Sequence, residues 1–178
     1  MYCLQTLKGI NADCQTNLGG IVEAYFGGFG QFDITLNTGH THTVSAMTAV
    51  SGASDGKLYK YEFARQTGSL TSTITVDEAN GVRYYTNSVT LQFNRLKASK
   101  HVEVEALAAG QLVGIFKDSN GKYWLVGYDS YLSATEAQAQ SGQAYGDLNG
   151  YTTTLSQMSA HLPYEIDYAT FSALIDGE

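Results

Sequence analysis

The sequence predicts a mainly β protein: an antiparallel β-sandwich or rolled barrel with one flanking α-helix at about residues 98–109. Three observations predict it. Apolar and polar residues alternate at period two through much of the chain, the signature of half-buried strands. The 178 residues include 19 Gly and 13 Tyr but one Pro; with abundant Ser and Thr, this composition favours strands and turns over helices. Clusters of Gly, Asn and Asp recur between the alternating runs, where hairpins need corners. A chain of this length fits one domain, and no fixed-period repeat or Pro/Ser-rich linker divides residues 1–178.

The elements follow in order. Ile21-Val22-Glu23-Ala24-Tyr25-Phe26 reads as a mostly buried strand between Gly19-Gly20 and Gly27-Gly28. Phe32-Asp33-Ile34-Thr35-Leu36 alternates cleanly, and Thr41 to Val50 is a weaker strand candidate. The Gly-rich stretch of about 27–57 is expected to be an extended loop region. Tyr59, Tyr61 and Phe63 share one face of the next strand, with Lys60 and Glu62 on the other. Leu70, Ile74 and Val76 lie opposite Thr71, Thr73 and Thr75; after Asp77-Glu78-Ala79-Asn80-Gly81 the longest strand candidate runs from Val82 to Leu96. Its Val89, Leu91 and Phe93 form an apolar face, against Thr86, Ser88, Thr90, Gln92 and Asn94. Asn80-Gly81 suits a tight reversal because both residues tolerate positive φ, so the two runs should pair as a long antiparallel hairpin.

Ala98 to Ala109 contains helix formers without Gly or Pro and stops at Gly110, the position of a C′ glycine. Val102 and Val104 would also suit a strand. Leu112 to Phe116 and Tyr123 to Gly127 flank Asp118-Ser119-Asn120-Gly121 as a second hairpin; these are the most apolar runs in the chain, which places them centrally. Thr135 to Ser141 and Tyr151 to Leu155 read as further strands. Asp167 to Leu174 reads as a short terminal helix or part of a docking tail over about 163–178.

Charge and composition narrow the function. The formal charge is −7, and the ten basic residues are scattered, which argues against tight binding to a phosphate backbone. With 15% charged residues, Ser, Thr, Asn, Gln and Tyr must cover much of the surface, a character suited to protein–protein packing. Met1-Tyr2-Cys3-Leu4 shows neither a basic nor an apolar leader region, and no run reaches the length of a membrane span. Without a secretion signal, Cys3 and Cys14 are expected as reduced thiols, although they could pair if the segment folded back.

The motifs suggest no catalyst and no cofactor. Asp118-Ser119-Asn120-Gly121 and Asp147-Leu148-Asn149-Gly150 continue without the alternating oxygens and closing Glu of a calcium loop. They also lack the Lys and following helix of a phosphate loop. Turn chemistry accounts for them. His40-Thr41-His42 puts two imidazoles on one face without an evident third ligand, and an interface role is the better expectation. No GxSxG elbow is present. Trp124 lies in an apolar strand rather than at a sugar cleft.

Three blocks carry a family resemblance: Cys14-Gln15-Thr16-Asn17-Leu18-Gly19-Gly20-Ile21 leading to Tyr25; Lys57-Leu58-Tyr59-Lys60-Tyr61-Glu62-Phe63; and Gly121 to Gly127 followed by Ser141-Gly142 and Gly146 to Thr152. In order and spacing they resemble bacteriophage tail structural proteins of the tail-tube type, over about residues 3–165. The resemblance implies a β-sandwich or rolled barrel flanked by a helix. It also implies hexameric rings whose inner sheets join around a channel, and a loop reaching the neighbouring ring. Under it the chain is a non-enzymatic virion component in the tail, assembled in the host cytoplasm. Its partners are copies of itself, other tail proteins, and phage DNA that passes without specific binding. Phe29, Phe32, His40 and His42, together with Asp77, Glu78 and Asn80 at the hairpin tip, become subunit-contact candidates. Thr86, Ser88, Thr90 and Gln92 become channel-lining candidates. One departure is that family members often carry more lumen carboxylates than this mostly neutral face. A tail-ring, terminator or capsid-decorating role belongs to the same class; a carbohydrate-binding or host-adhesion β-sandwich, with its tyrosines as a sugar platform, is the alternative.

Overall fold

The computed structural model describes residues 10, 16–37, 41–64 and 66–176. Among the described residues, eleven strands and two α-helices occur in the order β1 (Ile21–Gly28), β2 (Phe32–Leu36), β3 (Val44–Ala49), β4 (Tyr59–Glu62), β5 (Gly68–Asp77), β6 (Val82–Asn94), α1 (Ala98–Ala109), β7 (Leu112–Asp118), β8 (Tyr123–Val126), β9 (Ser133–Gln140), β10 (Gly150–Ser159), β11 (Tyr164–Ile166) and α2 (Tyr168–Phe171), followed by a 3-10 turn at Ser172–Leu174. Nine strands form one antiparallel sheet in the order β11-β8-β7-β1-β5-β6-β10-β9, with β4 also paired to β1; β2 and β3 form a separate hairpin. The protein is therefore mainly β with a flanking helix. The sheet rolls without closing: one bridge, Leu112 to Leu132, draws the start of β9 back towards β7. Among the described residues no helix is long and apolar enough to cross a membrane.

Apolar side chains collect on both faces of β1 and β7. Inside the roll, Ala24, Phe26 and Phe116 pack with Val89, Leu91, Phe93 and Leu155, and α1 contributes Leu107. On the opposite face, Tyr25, Val113, Ile115 and Leu125 meet Phe32, Val44 and Met47 of the β2–β3 hairpin and Ile166 and Phe171 of the C-terminal segment. Double coverage explains why Leu112 to Phe116 is apolar without alternation.

The stretch of about 27–57 is thus not an extended loop: it contains the β2–β3 hairpin, and that hairpin is the lid of the second core. Glycine permits the close fit, since a Cβ at Gly27 would come within 2.5 Å of the Phe32 ring. The expected docking tail packs on its own chain. Ile166 and Phe171 are buried, and Leu58 donates its N–H to Leu174 O at 2.7 Å.

Two local readings change for physical reasons. Gly110 is extended at φ −83°, not left-handed; a Cβ there would stand 3.0 Å from both Ala106 O and Leu112 Cδ2, so close packing is the local constraint. At the β5–β6 tip only Gly81 has positive φ, at 65°. The other turn signal is the Asp77 carboxylate, which accepts the N–H groups of Ala79 at 3.0 Å and Asn80 at 3.2 Å.

Polar side chains seal the end of the inner core. Gln157 Nε2 donates to Asp129 Oδ1 at 2.6 Å and Ser130 O at 2.9 Å, while its Oε1 accepts the Gly127 N–H at 3.0 Å. Ser159 Oγ donates to Asp129 Oδ2 at 2.7 Å, and Ser72 Oγ to Asn87 Oδ1 at 2.7 Å. Buried amides are thereby satisfied, as burial demands.

Thr153 differs: it is fully buried, and among the described residues its Oγ1 has no hydrogen-bond partner. Thr153→Val keeps the shape and removes the desolvated hydroxyl, so it should raise the unfolding free energy by about 1 kcal/mol. Chemical denaturation checks this; a loss of stability would show that the hydroxyl is satisfied in solution.

Candidate assembly surface

Beyond β1 the sheet changes character. The run β5-β6-β10-β9 has its apolar side in the roll and a polar side facing outwards. The registers align that outer side in rows: Ser69, Thr90, Thr154 and Glu136 in one, and Thr71, Ser88, Ser156 and Ser133 in the next. Gln92, Thr152 and Gln138 form another row, and Thr73, Thr86 and Met158 a fourth. Thr90 and Thr154 hydroxyls are 3.3 Å apart. These rows contain hydroxyls and amides, one carboxylate, the exposed Met158 side chain and no Lys or Arg. Thr86, Ser88, Thr90 and Gln92 therefore share one half-buried face, opposite buried Val89, Leu91 and Phe93.

Both flanking strands of this run have long edges without a ladder partner among the described residues, with α1 lying against β9. β5 pairs with β6 along its length but meets β1 only at Gly68, opposite Ile21. β9 pairs with β10 on one side, and the neighbouring Leu112–Leu132 bridge holds only its entrance. Beyond those contacts, neither edge has a ladder partner among the described residues. β9 has the sequence SATEAQAQ, without the Lys or Pro that commonly protects an edge. A bulge at Thr135 bends its start, where the Thr135 hydroxyl donates to Thr154 O at 3.2 Å.

The other candidates scatter. Phe29 is exposed and packs edge-on to Tyr131, with centroids 6.0 Å apart. Phe32 is buried in the second core, so its ring is occupied within the chain and is not an available contact. His42 is exposed, adopts φ 45° and stacks on Tyr164 at 5.0 Å, while its backbone carbonyl accepts the Glu165 N–H at 2.9 Å. His40, Cys3 and Cys14 lie outside the described residues. Asp77, Glu78 and Asn80 sit together at the exposed β5–β6 tip, with Asn80 Nδ2 donating to Asp77 Oδ2 at 2.6 Å.

The two acidic corners are built as turns. Asp118 Oδ1 accepts N–H groups from Asn120 and Lys122, both at 2.9 Å, and Trp124 Nε1 donates to Asp118 Oδ2 at 3.1 Å. Asp147 Oδ2 accepts from Gln143 at 2.9 Å and Ala144 at 2.8 Å. Among the described residues no group of three or more His, Cys, Asp or Glu could hold a metal ion. Exposed Tyr59, Tyr131, Tyr145 and Tyr168 fall on four separate segments of the chain.

The sequence reading found the β6 row but missed its continuation over β5, β10 and β9. Alternating Ser and Thr in Thr71-Ser72-Thr73 and Thr152 to Ser156 carried that signal; register was needed to align them. Comparisons with family models, curated proteins and solved structures find no match to this chain.

The Asn80 side-chain amide, then the Asn80 and Ala79 backbone N–H groups, hold the Asp77 carboxyl below its usual range. Its folded pKa is thus depressed, so its stabilisation of the tip is present above the unfolded value and lost as pH falls through the folded one. Carbon-detected titration should place Asp77 lower in the folded protein than in denaturant, and Asn80→Ala should move it up. Equal midpoints in wild type and variant would count against this tip geometry.

Proposed function

We propose that the chain is a non-enzymatic virion structural protein of the tail-tube type, whose copies join edge to edge into rings that stack as a conduit for DNA. One observation carries the reading: a four-strand run has two long edges without ladder partners among the described residues and an outer face mainly of hydroxyls and amides, with Glu136 and Met158 and without a cation. Adjacent strands in this run are antiparallel, so β5 and β9 point in opposite directions. The β5 edge of one copy can therefore meet the β9 edge of the next and continue the antiparallel ladder with every copy in the same orientation. Such a heterologous contact makes a closed ring when its rotation closes, and it removes the aggregation hazard of open edges.

The face left on the joined sheet suits passage rather than capture. Phosphate binding is driven by Lys and Arg that release condensed counterions, and Ser, Thr and Gln offer weaker hydrogen bonds that exchange with water. Thr86, Ser88, Thr90 and Gln92 supply the β6 share of this channel lining. Ring number, neighbouring tail proteins and virion location follow the resemblance in the sequence blocks. The sheet geometry supports self-association.

Cysteines placed singly along Ser69 to Thr73 and along Glu136 to Gln140, in a Cys3→Ser, Cys14→Ser background, test the contact. Mixed oxidised samples should give a covalent ladder for β5–β9 pairs, and electron micrographs of the wild type should contain rings or tubes. Dispersed monomers at millimolar concentration, with no cross-linked pair across the scan, would overturn the reading.

A further inference from the structure

The chain contains three Asn-Gly pairs: Asn80-Gly81, Asn120-Gly121 and Asn149-Gly150. Each places an electrophile beside a nucleophile. The backbone nitrogen that follows an asparagine can attack its side-chain amide carbon, and glycine, without a Cβ, obstructs that approach least. In an unfolded chain the three pairs are near equivalents. The fold makes them unlike.

Asn120 is pinned. Its Oδ1 accepts the Leu18 N–H at 2.9 Å, and its Nδ2 donates to Asn17 Oδ1 at 3.0 Å and Leu18 O at 3.1 Å. The nucleophile is engaged as well, since Gly121 donates its N–H to Asp118 O at 3.1 Å. Asn149 ties the β9–β10 loop to the chain after β6. Its Oδ1 accepts the Leu96 N–H at 3.0 Å, and its backbone carbonyl accepts the Arg95 N–H at 2.5 Å. Gly150 is buried, paired between Asn94 and Gln140, with Phe93 O where a Cβ would stand.

Asn80 is held least. It and Gly81 are exposed at the β5–β6 tip, and a Cβ at Gly81 would meet nothing within 4 Å. The Asn80 amide makes one hydrogen bond among the described residues, from Nδ2 to Asp77 Oδ2 at 2.6 Å. The Gly81 N–H has no backbone acceptor among them, and the strand ladder ends at Asp77 and Val82.

We propose that Asn80 is a site of spontaneous deamidation, converted by water through a succinimide to aspartate and isoaspartate. Hydroxide takes the Gly81 N–H proton, and the nitrogen bonds to Asn80 Cγ. The Cγ–Nδ2 bond breaks, and ammonia leaves with a proton from water, which restores the hydroxide. Water then opens the ring. Cleavage of the new Cγ–N bond gives aspartate; cleavage of the original backbone C–N bond gives isoaspartate, with the chain running through Cγ. In sum, one amide and one water become one acid and one ammonia, and nothing is oxidised or reduced.

The product has a carboxylate where Nδ2 had donated to Asp77. Position 80 then carries a third acid beside Asp77 and Glu78, and the side-chain hydrogen bond of the turn is lost. Isoaspartate also lengthens the backbone within the loop that closes on the Asp77–Val82 pair. The tip lies beyond Tyr85, the last β6 residue that β10 follows, so the change leaves both cores intact. This inference stands apart from the ring reading.

The test is peptide mass spectrometry of the full-length protein aged in mildly alkaline buffer made with isotope-labelled water, which marks each new carboxyl oxygen. The peptide holding Asn80 should take up label and separate into aspartyl and isoaspartyl forms about tenfold faster, or more, than those holding Asn120 and Asn149. Those two must first break at least one further hydrogen bond. In denaturant the three should convert at similar rates. An Asn80 that keeps its amide in the folded protein after the denatured chain has lost it would overturn the proposal. So would three pairs that convert alike in the folded protein, or labelling at Asn80 without isoaspartate, which excludes the succinimide.

Discussion

The structure depends on covering β1 and β7 on both faces. Ala24 and Phe26 point into the roll while Tyr25 points out, and Phe116 and Ile115 divide in the same way. Large apolar side chains on both sides of a sheet cannot be left in water at about 25 cal/mol per Å², so two separate lids must be found. The sheet supplies one by rolling β6 and β10 over its own inner face, with α1 contributing Leu107. The chain supplies the other from two distant segments, the β2–β3 hairpin and the stretch around Ile166 and Phe171. Short parallel bridges, Thr43 to Glu165 and Leu58 to Ile175, tie those segments down.

Away from β1 the requirement lapses. β5, β6, β10 and β9 bury only one side, and their outer sides are free to be hydroxyl and amide. The same release leaves the β5 and β9 edges without ladder partners among the described residues, with α1 lying against β9. The Gln157–Asp129–Asn87 cluster marks where the inner core ends and the hairpin continues as an arm. Satisfied amides there close the core without needing another apolar layer. Binding capacity in this protein is thus concentrated where its own core does not need the strands.

Local order was readable in particular residues. Phe32 to Leu36 alternates, and the strand occupies those residues; Ala98 to Ala109 lacks breakers, and the helix occupies those residues. The Thr86–Gln92 row was readable because period two separates it from Val89, Leu91 and Phe93. Phe32 was misplaced as a contact because its Gly-rich surroundings suggested a loop, whereas the glycines permit close packing. β4 was legible as a strand but not as a neighbour of β1 alongside β5, since pairing with β1 is shared between two strands.

The sequence by itself determined most of the strands, their inward and outward faces, the turn positions and the cation-poor surface, because these follow from side-chain period and local backbone preference; the short β11 lay in the stretch read as a tail. The tertiary structure decided which strands adjoin, which edges lack a ladder partner, and which of two apolar cores each aromatic ring enters. The division has one cause: alternation is written within a strand, whereas register and neighbour are chosen by long-range burial between segments far apart in the chain.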